Sequence, residues 1–93
     1  MDVIDNPSLK RFELPIDGQT AFLTYERTPD SLSLLHTEVP VAYRGRRYGE
    51  TLVKAAIERA RADGLRIVAV CPFVRAYLRK HPPPAATPMT RLP

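Results

Sequence analysis

Cysteine, tryptophan and glycine are scarce in this chain, with one, none and four residues among 93. A single cysteine excludes an intramolecular disulfide. No apolar run approaches the ~20 residues that a membrane-spanning helix needs. The acidic start Met1-Asp2 carries neither the basic region nor the long apolar region of a secretory signal. A cytoplasmic location is therefore expected, with no membrane partner. The two histidines, Cys71 and the scattered acids show no metal-ligand spacing, so no metal is expected. No internal repeat is visible.

What the chain does have is enough apolar side chain to fold, 44% of its residues, and a length that suits one domain burying roughly 60 to 65% of its unfolded surface. Five of the ten prolines fall between Pro82 and Pro93. That segment lacks periodicity and reads as a mobile extension, leaving residues 1–81 as the compact domain. The formal charge of +4 hides a division. Residues 1–43 hold three Lys/Arg and seven Asp/Glu, whereas residues 44–80 hold ten and three. The second half therefore favours an anion, which a nucleic acid or a phosphorylated cofactor would satisfy.

Alternation marks the early part of the chain as antiparallel strands. Phe12, Leu14 and Ile16 alternate with Arg11, Glu13 and Pro15; Asp17-Gly18 supplies a hairpin turn; Ala21, Leu23 and Tyr25 continue on the return strand. Pro15 predicts that the first of these is short or at an edge. After a turn at Thr28-Pro29-Asp30, the run Ser31 to Val39 puts Leu32, Leu34, His36 and Glu38 on one face and Leu35, Thr37 and Val39 on the other. From Glu50 to Asp63 the period becomes helical, with Leu52, Val53, Ala56, Ile57 and Ala60 in one stripe and a favourable Glu50–Lys54 spacing on the far side. Gly64 ends this helix, Arg66 to Cys71 reads as a buried parallel strand, and Pro72 opens a short helix through Lys80 in which Phe73, Ala76 and Tyr77 share a face.

Between strand and helix lies Tyr43-Arg44-Gly45-Arg46-Arg47-Tyr48-Gly49. Exposed backbone N–H groups at a helix start carry partial positive charge, and glycines let a pyrophosphate approach them. Three arginines add full charge at the same place. A right-handed strand-loop-helix-strand crossover sets that helix start at the carboxyl edge of the strands, where α/β sheets bind ligands.

His36-Thr37-Glu38-Val39-Pro40, this loop, the helix after it, Val70-Cys71-Pro72-Phe73, Tyr77 and His81-Pro82 together resemble the minimal N-acetyltransferase-like proteins of the GNAT superfamily. The resemblance spans about Leu9 to Pro82. It implies an α/β fold with a mixed, splayed sheet that binds acetyl-CoA and transfers acetyl to the primary amine of a small molecule or protein by direct attack. The superfamily loop pattern is Arg or Gln, two variable residues, Gly, one variable residue, then Gly or Ala. Arg44, Gly45, Arg46, Tyr48 and Gly49 fit it, while Arg47 stands where the central glycine is usual. If that position needs positive φ, arginine costs about 1 to 2 kcal/mol there.

The resemblance assigns cofactor contacts to Arg44, Gly45, Arg46, Arg47, Tyr48 and Gly49, and to the backbone of Thr37 to Val39, whose free N–H and C=O groups can add a strand-like ligand. Four side chains are catalytic candidates. Cys71 lies near the acetyl-bearing end of the cofactor in compact relatives, although a buried free cysteine is also a small hydrophobe. Tyr77 either packs in the core or returns a proton to the departing thiolate. His36 and Glu38 share a strand face, and either could take a proton from the amine, against the plainer reading of a packed histidine and a rim carboxylate. Two other classes compete with a transferase. One is a CoA-binding accessory or sensor module. The other, nucleic-acid binding, is not expected, because the aromatics form no stacking motif.

Overall fold

The computed structural model describes residues 2–82, so most of the proline-rich segment expected from Pro82 lies outside the described residues. Strands β1 (Ile4–Asn6), β2 (Arg11–Ile16), β3 (Gln19–Arg27) and β4 (Ser31–Glu38) run antiparallel, and β5 (Arg66–Ala69) joins β4 in parallel. The sheet order is β1-β2-β3-β4-β5. Helix α1 (Tyr48–Ala62) connects β4 to β5, and α2 (Pro72–Lys80) follows β5. This is the mixed α/β architecture that the sequence predicts.

The β2–β3 turn forms as expected, with both Asp17 (φ 46°) and Gly18 (φ 81°) left-handed, the conformation that matches the twist of a two-residue hairpin. Pro15 is at an edge only locally. Strand β1, too short to register as an alternating pattern, pairs with Arg11 to Glu13 and leaves the Pro15 half of β2 unpaired on that side. Proline's missing N–H is thereby harmless.

The predicted helical stripe is the core stripe, with Leu52, Val53, Ala56, Ile57 and Ala60 all buried. They pack with Leu14, Leu23, Leu34 and Ile67 in a single cluster. Helix α1 ends as anticipated. Gly64 (φ 67°) follows the last turn, and Leu65 N–H and Gly64 N–H donate to the carbonyls of Ala60 (2.8 Å) and Arg61 (3.3 Å). Its start differs by two residues. Tyr48 and Gly49 already belong to the helix, and Val41–Tyr43 forms a 3-10 turn, so the loop contracts to residues 44–47. The Glu50–Lys54 spacing forms no ion pair among the described residues; the i,i+4 pair that forms is Arg59–Asp63, at 3.8 Å.

One expectation about β4 is overturned. Tyr25 pairs with Leu34 but Thr24 pairs with His36, which leaves Leu35 as an extra residue, a β-bulge. Beyond it the faces exchange. His36 and Glu38 still share a face, but it is the one opposite Leu32 and Leu34, beside Thr24 and Phe22; Thr37 now looks toward the helices beside Leu23. Strict period-two counting fails because the bulge advances the strand by one residue.

Candidate functional site

The ladder between β4 and β5 ends at Leu34↔Ala69. There the N–H groups of Val70 (3.0 Å) and Cys71 (2.9 Å) both converge on the Leu34 carbonyl, and the strands separate. Residues 36–38 continue along β3 and, among the described residues, have no strand partner on the β5 side. The separation shortens the expected strand 66–71 to Arg66–Ala69. Against the opened edge stands the start of α1. Its N-cap is Arg47, with no side-chain hydrogen bond capping the first turn, so the leading N–H groups of the helix remain available to an anion.

These two features bound a cleft of about 620 Å³, within the range of small-molecule sites. His36, Thr37, Glu38, Val39, Arg44, Gly45, Arg47, Tyr48 and Gly49 all line it. The fold thus brings together most of the residues singled out from sequence. Tyr43, Glu50 and Phe73 complete the lining. Sequence reasoning missed Phe73 as a wall, and its position just after Cys71-Pro72 was the available signal.

Local geometry distinguishes the loop residues. Arg47 has φ 65° and ψ 20°, so the position does require the left-handed region and carries the strain foreseen for a non-glycine residue. Gly45, at φ 83°, has nothing within 4 Å of an ideal Cβ. Gly49 serves a different need. It has helical backbone and is buried, and a Cβ there would meet Cζ of Phe73 at 2.9 Å. Its missing side chain admits the α2 aromatic. Arg46 lies outside the cleft lining, its guanidinium 5.7 Å from the Tyr43 ring. Tyr43 is held by its hydroxyl, which donates to Asp17 at 3.1 Å. That hydrogen bond raises the Tyr43 pKa.

At the cleft mouth, Nε2 of His36 lies 3.0 Å from Oε1 of Glu38, and Nη2 of Arg44 lies 3.3 Å from Oε2. The His36 hydrogen bond, with a smaller contribution from Arg44, holds the Glu38 carboxyl below the usual carboxylate range. An ionised carboxylate only accepts, so the proton of the neutral imidazole sits on Nε2 and leaves Nδ1 as the basic nitrogen. The pair resembles the base-plus-orienter arrangement of acid–base sites.

Cys71 and Tyr77 are not part of this lining. Cys71 is 3% exposed and packs beneath the strand edge, its Sγ 3.6 Å from Oγ1 of Thr37. The core stripe of α2 is Val74 and Leu78, whereas Phe73, Ala76 and Tyr77 face a separate small recess with Glu50, Lys80 and His81. Phe73 and Glu50 line both spaces, so the recess that Tyr77 faces adjoins the cleft. Burial, reinforced by Glu50 and Glu58, pushes the Tyr77 phenol up. Among the described residues there is no cluster that could hold a metal ion, and no helix is long and apolar enough to cross a membrane.

A mixed sheet opened between two parallel strands, with an uncapped helix start facing the gap, defines the protein as an acetyltransferase-like α/β fold. The family model for GCN5-related N-acetyl-transferase matches residues 11–86, and the chain belongs to that family. It is also similar to the proteins called NATD1: 32% identical over 78 residues to that of Danio rerio, covering 81% of this chain and 71% of the relative. The Mus musculus and Homo sapiens proteins are each 33% identical over 78 residues, covering 81% of this chain and 71% and 69% of theirs.

Proposed function

We propose that the protein is an acetyl-CoA-dependent N-acetyltransferase acting on a primary amine. The observation that carries this reading is the uncapped α1 start opening onto the same cleft as the unpaired edge of β4. The residues present fit acetyl-CoA. Free N–H groups at Tyr48 and Gly49, with the Arg47 guanidinium beside them, suit a diphosphate, and the 37–39 edge suits the amides of a pantetheine arm. Glu38 and Glu50 both line the cleft and oppose an anion, although an acid in the first helical turn, as Glu50 is, is itself favoured by the helix dipole.

Acetyl-CoA, when bound, supplies an activated thioester. The chain's own contribution is position and proton management. His36 takes the proton of the incoming amine at Nδ1, and Glu38 fixes the ring's tautomer and stabilises the imidazolium that results. A backbone N–H of the 37–39 edge is the donor available to the carbonyl oxygen as it gains charge. Because His36 and Glu38 sit on the sheet face opposite both helices, the amine approaches from that side. The single buried cysteine is consistent with a reducing, cytoplasmic setting.

A second reading, a CoA-binding accessory or sensor module with little turnover, is favoured by the placement of Cys71 and Tyr77, two of the four side chains singled out for the chemistry, outside the cleft lining. One experiment separates the readings. Calorimetric titration with CoA is followed by thiol release from acetyl-CoA across a panel of polyamines, lysine peptides and small amines. Binding with amine-dependent release supports the transferase, and binding without release supports the module. Absence of CoA binding would refute both.

A further inference from the structure

Of the three loop arginines, Arg44 alone is engaged by an acid among the described residues. Its Nη2 lies 3.3 Å from Oε2 of Glu38, and its Nε–H donates to the Val39 carbonyl at 3.1 Å. Arg46 rests over Tyr43, and the Arg47 guanidinium has no ion-pair partner among the described residues. Glu38 is therefore shared, His36 on one oxygen and Arg44 on the other. The Arg44 and Glu38 side chains are 59% and 43% exposed, so water screens their bond and makes it easy to exchange.

A diphosphate at the α1 start would lie beside the same four-residue loop. It offers more charge than a carboxylate and the paired oxygens that suit a guanidinium fork. We propose that Arg44 is a positioning residue that exchanges partners. Before the diphosphate arrives it holds Glu38 and the end of β4, and once the loop is filled it turns to the phosphate and leaves Glu38 to His36 alone. This rests on the acetyl-CoA reading above. The consequence is a coupling between the two ends of the cleft. While Arg44 is bound, part of the carboxylate's charge is neutralised; after the exchange its whole charge supports the ring that receives the amine's proton. The proton acceptor is thus fully formed when the acetyl donor is in place.

The test is a double-mutant cycle read by calorimetric titration with CoA. Glu38→Gln frees Arg44 in advance and is expected to tighten CoA binding about two- to fivefold, the range set by an exposed ion pair. Arg44→Gln should weaken binding, and adding Glu38→Gln to it should change affinity by less than about 1.5-fold, because the partner has gone. Both side chains are exposed, and circular dichroism of each variant checks the fold. Equal tightening in both backgrounds would mean simple charge repulsion and would overturn the exchange, as would no tightening with Glu38→Gln alone. If the unmodified protein binds no CoA, the acetyl-CoA reading falls and the exchange falls with it, an outcome distinct from the other two.

Discussion

Replacing Arg47 with glycine should make the protein more stable. Arg47 occupies φ 65° and ψ 20°, where a side-chain-bearing residue costs about 1–2 kcal/mol. Glycine removes that cost but gives the unfolded chain more freedom, which offsets about 0.4–1 kcal/mol. Among the described residues the exposed arginine side chain makes no ion pair or hydrogen bond whose loss would count against the change, and glycine is acceptable as an N-cap. The net gain is about 0.5–1 kcal/mol, which for a domain of this size raises Tm by about 2–8 °C. Scanning calorimetry of Arg47→Gly against Arg47→Ala measures it. Alanine keeps the Cβ and hence the strain, so its Tm should stay near that of the unmodified protein. A rise shared equally by both variants would assign the effect to the guanidinium instead, and an Arg47→Gly protein melting at or below the parent would refute the strain argument.

Other expectations follow from single contacts. Tyr25 is buried and its hydroxyl donates to Asp5 at 2.6 Å; Tyr25→Phe should cost about 1 kcal/mol in urea unfolding. Burial, then the Asp5 bond, push the Tyr25 pKa up from 10.0 to about 12. Stability from this group is therefore complete below pH 10, where the unfolded phenol is neutral, and declines toward pH 12; that loss should be absent in Tyr25→Phe. Gly49→Ala sets a helix-propensity gain of about 0.5–1 kcal/mol against overpacking on Phe73. It should be clearly stabilising only in a Phe73→Ala background, and equal Tm shifts in both backgrounds would show that the ring is no obstacle. Cys71, at 3% exposure, should react with a disulfide reagent on the order of 100-fold more slowly in native buffer than in denaturant, because labelling waits for opening. Rapid native labelling would show that the thiol reaches the cleft.

Much of the fold was legible because local rules and tertiary packing agree here. The α1 stripe, the Gly64 stop, the Asp17-Gly18 hairpin and Pro72 at a helix start each depend on a few adjacent residues. The position of the basic loop between β4 and α1 was legible for the same reason, since it needs only the end of one period and the start of the next. What escaped were features that depend on a partner strand or a distant side chain. Strand β1 is too short to carry a period and exists through its pairing with β2. Gly49 looks like a phosphate-loop glycine in sequence, yet the atom that forbids a Cβ belongs to Phe73 on another helix.

The sequence by itself determined most of the elements, the stripe that packs inward and the basic loop before α1, because these follow from nearest-neighbour backbone preference and periodicity. Tertiary structure alone decided which face His36 and Glu38 occupy, that Phe73 packs against Gly49, and that Arg44 is tied to Glu38. An extra residue in a strand reverses every side chain beyond it, and whether it is accommodated as a bulge at Leu35 is settled by register with β3.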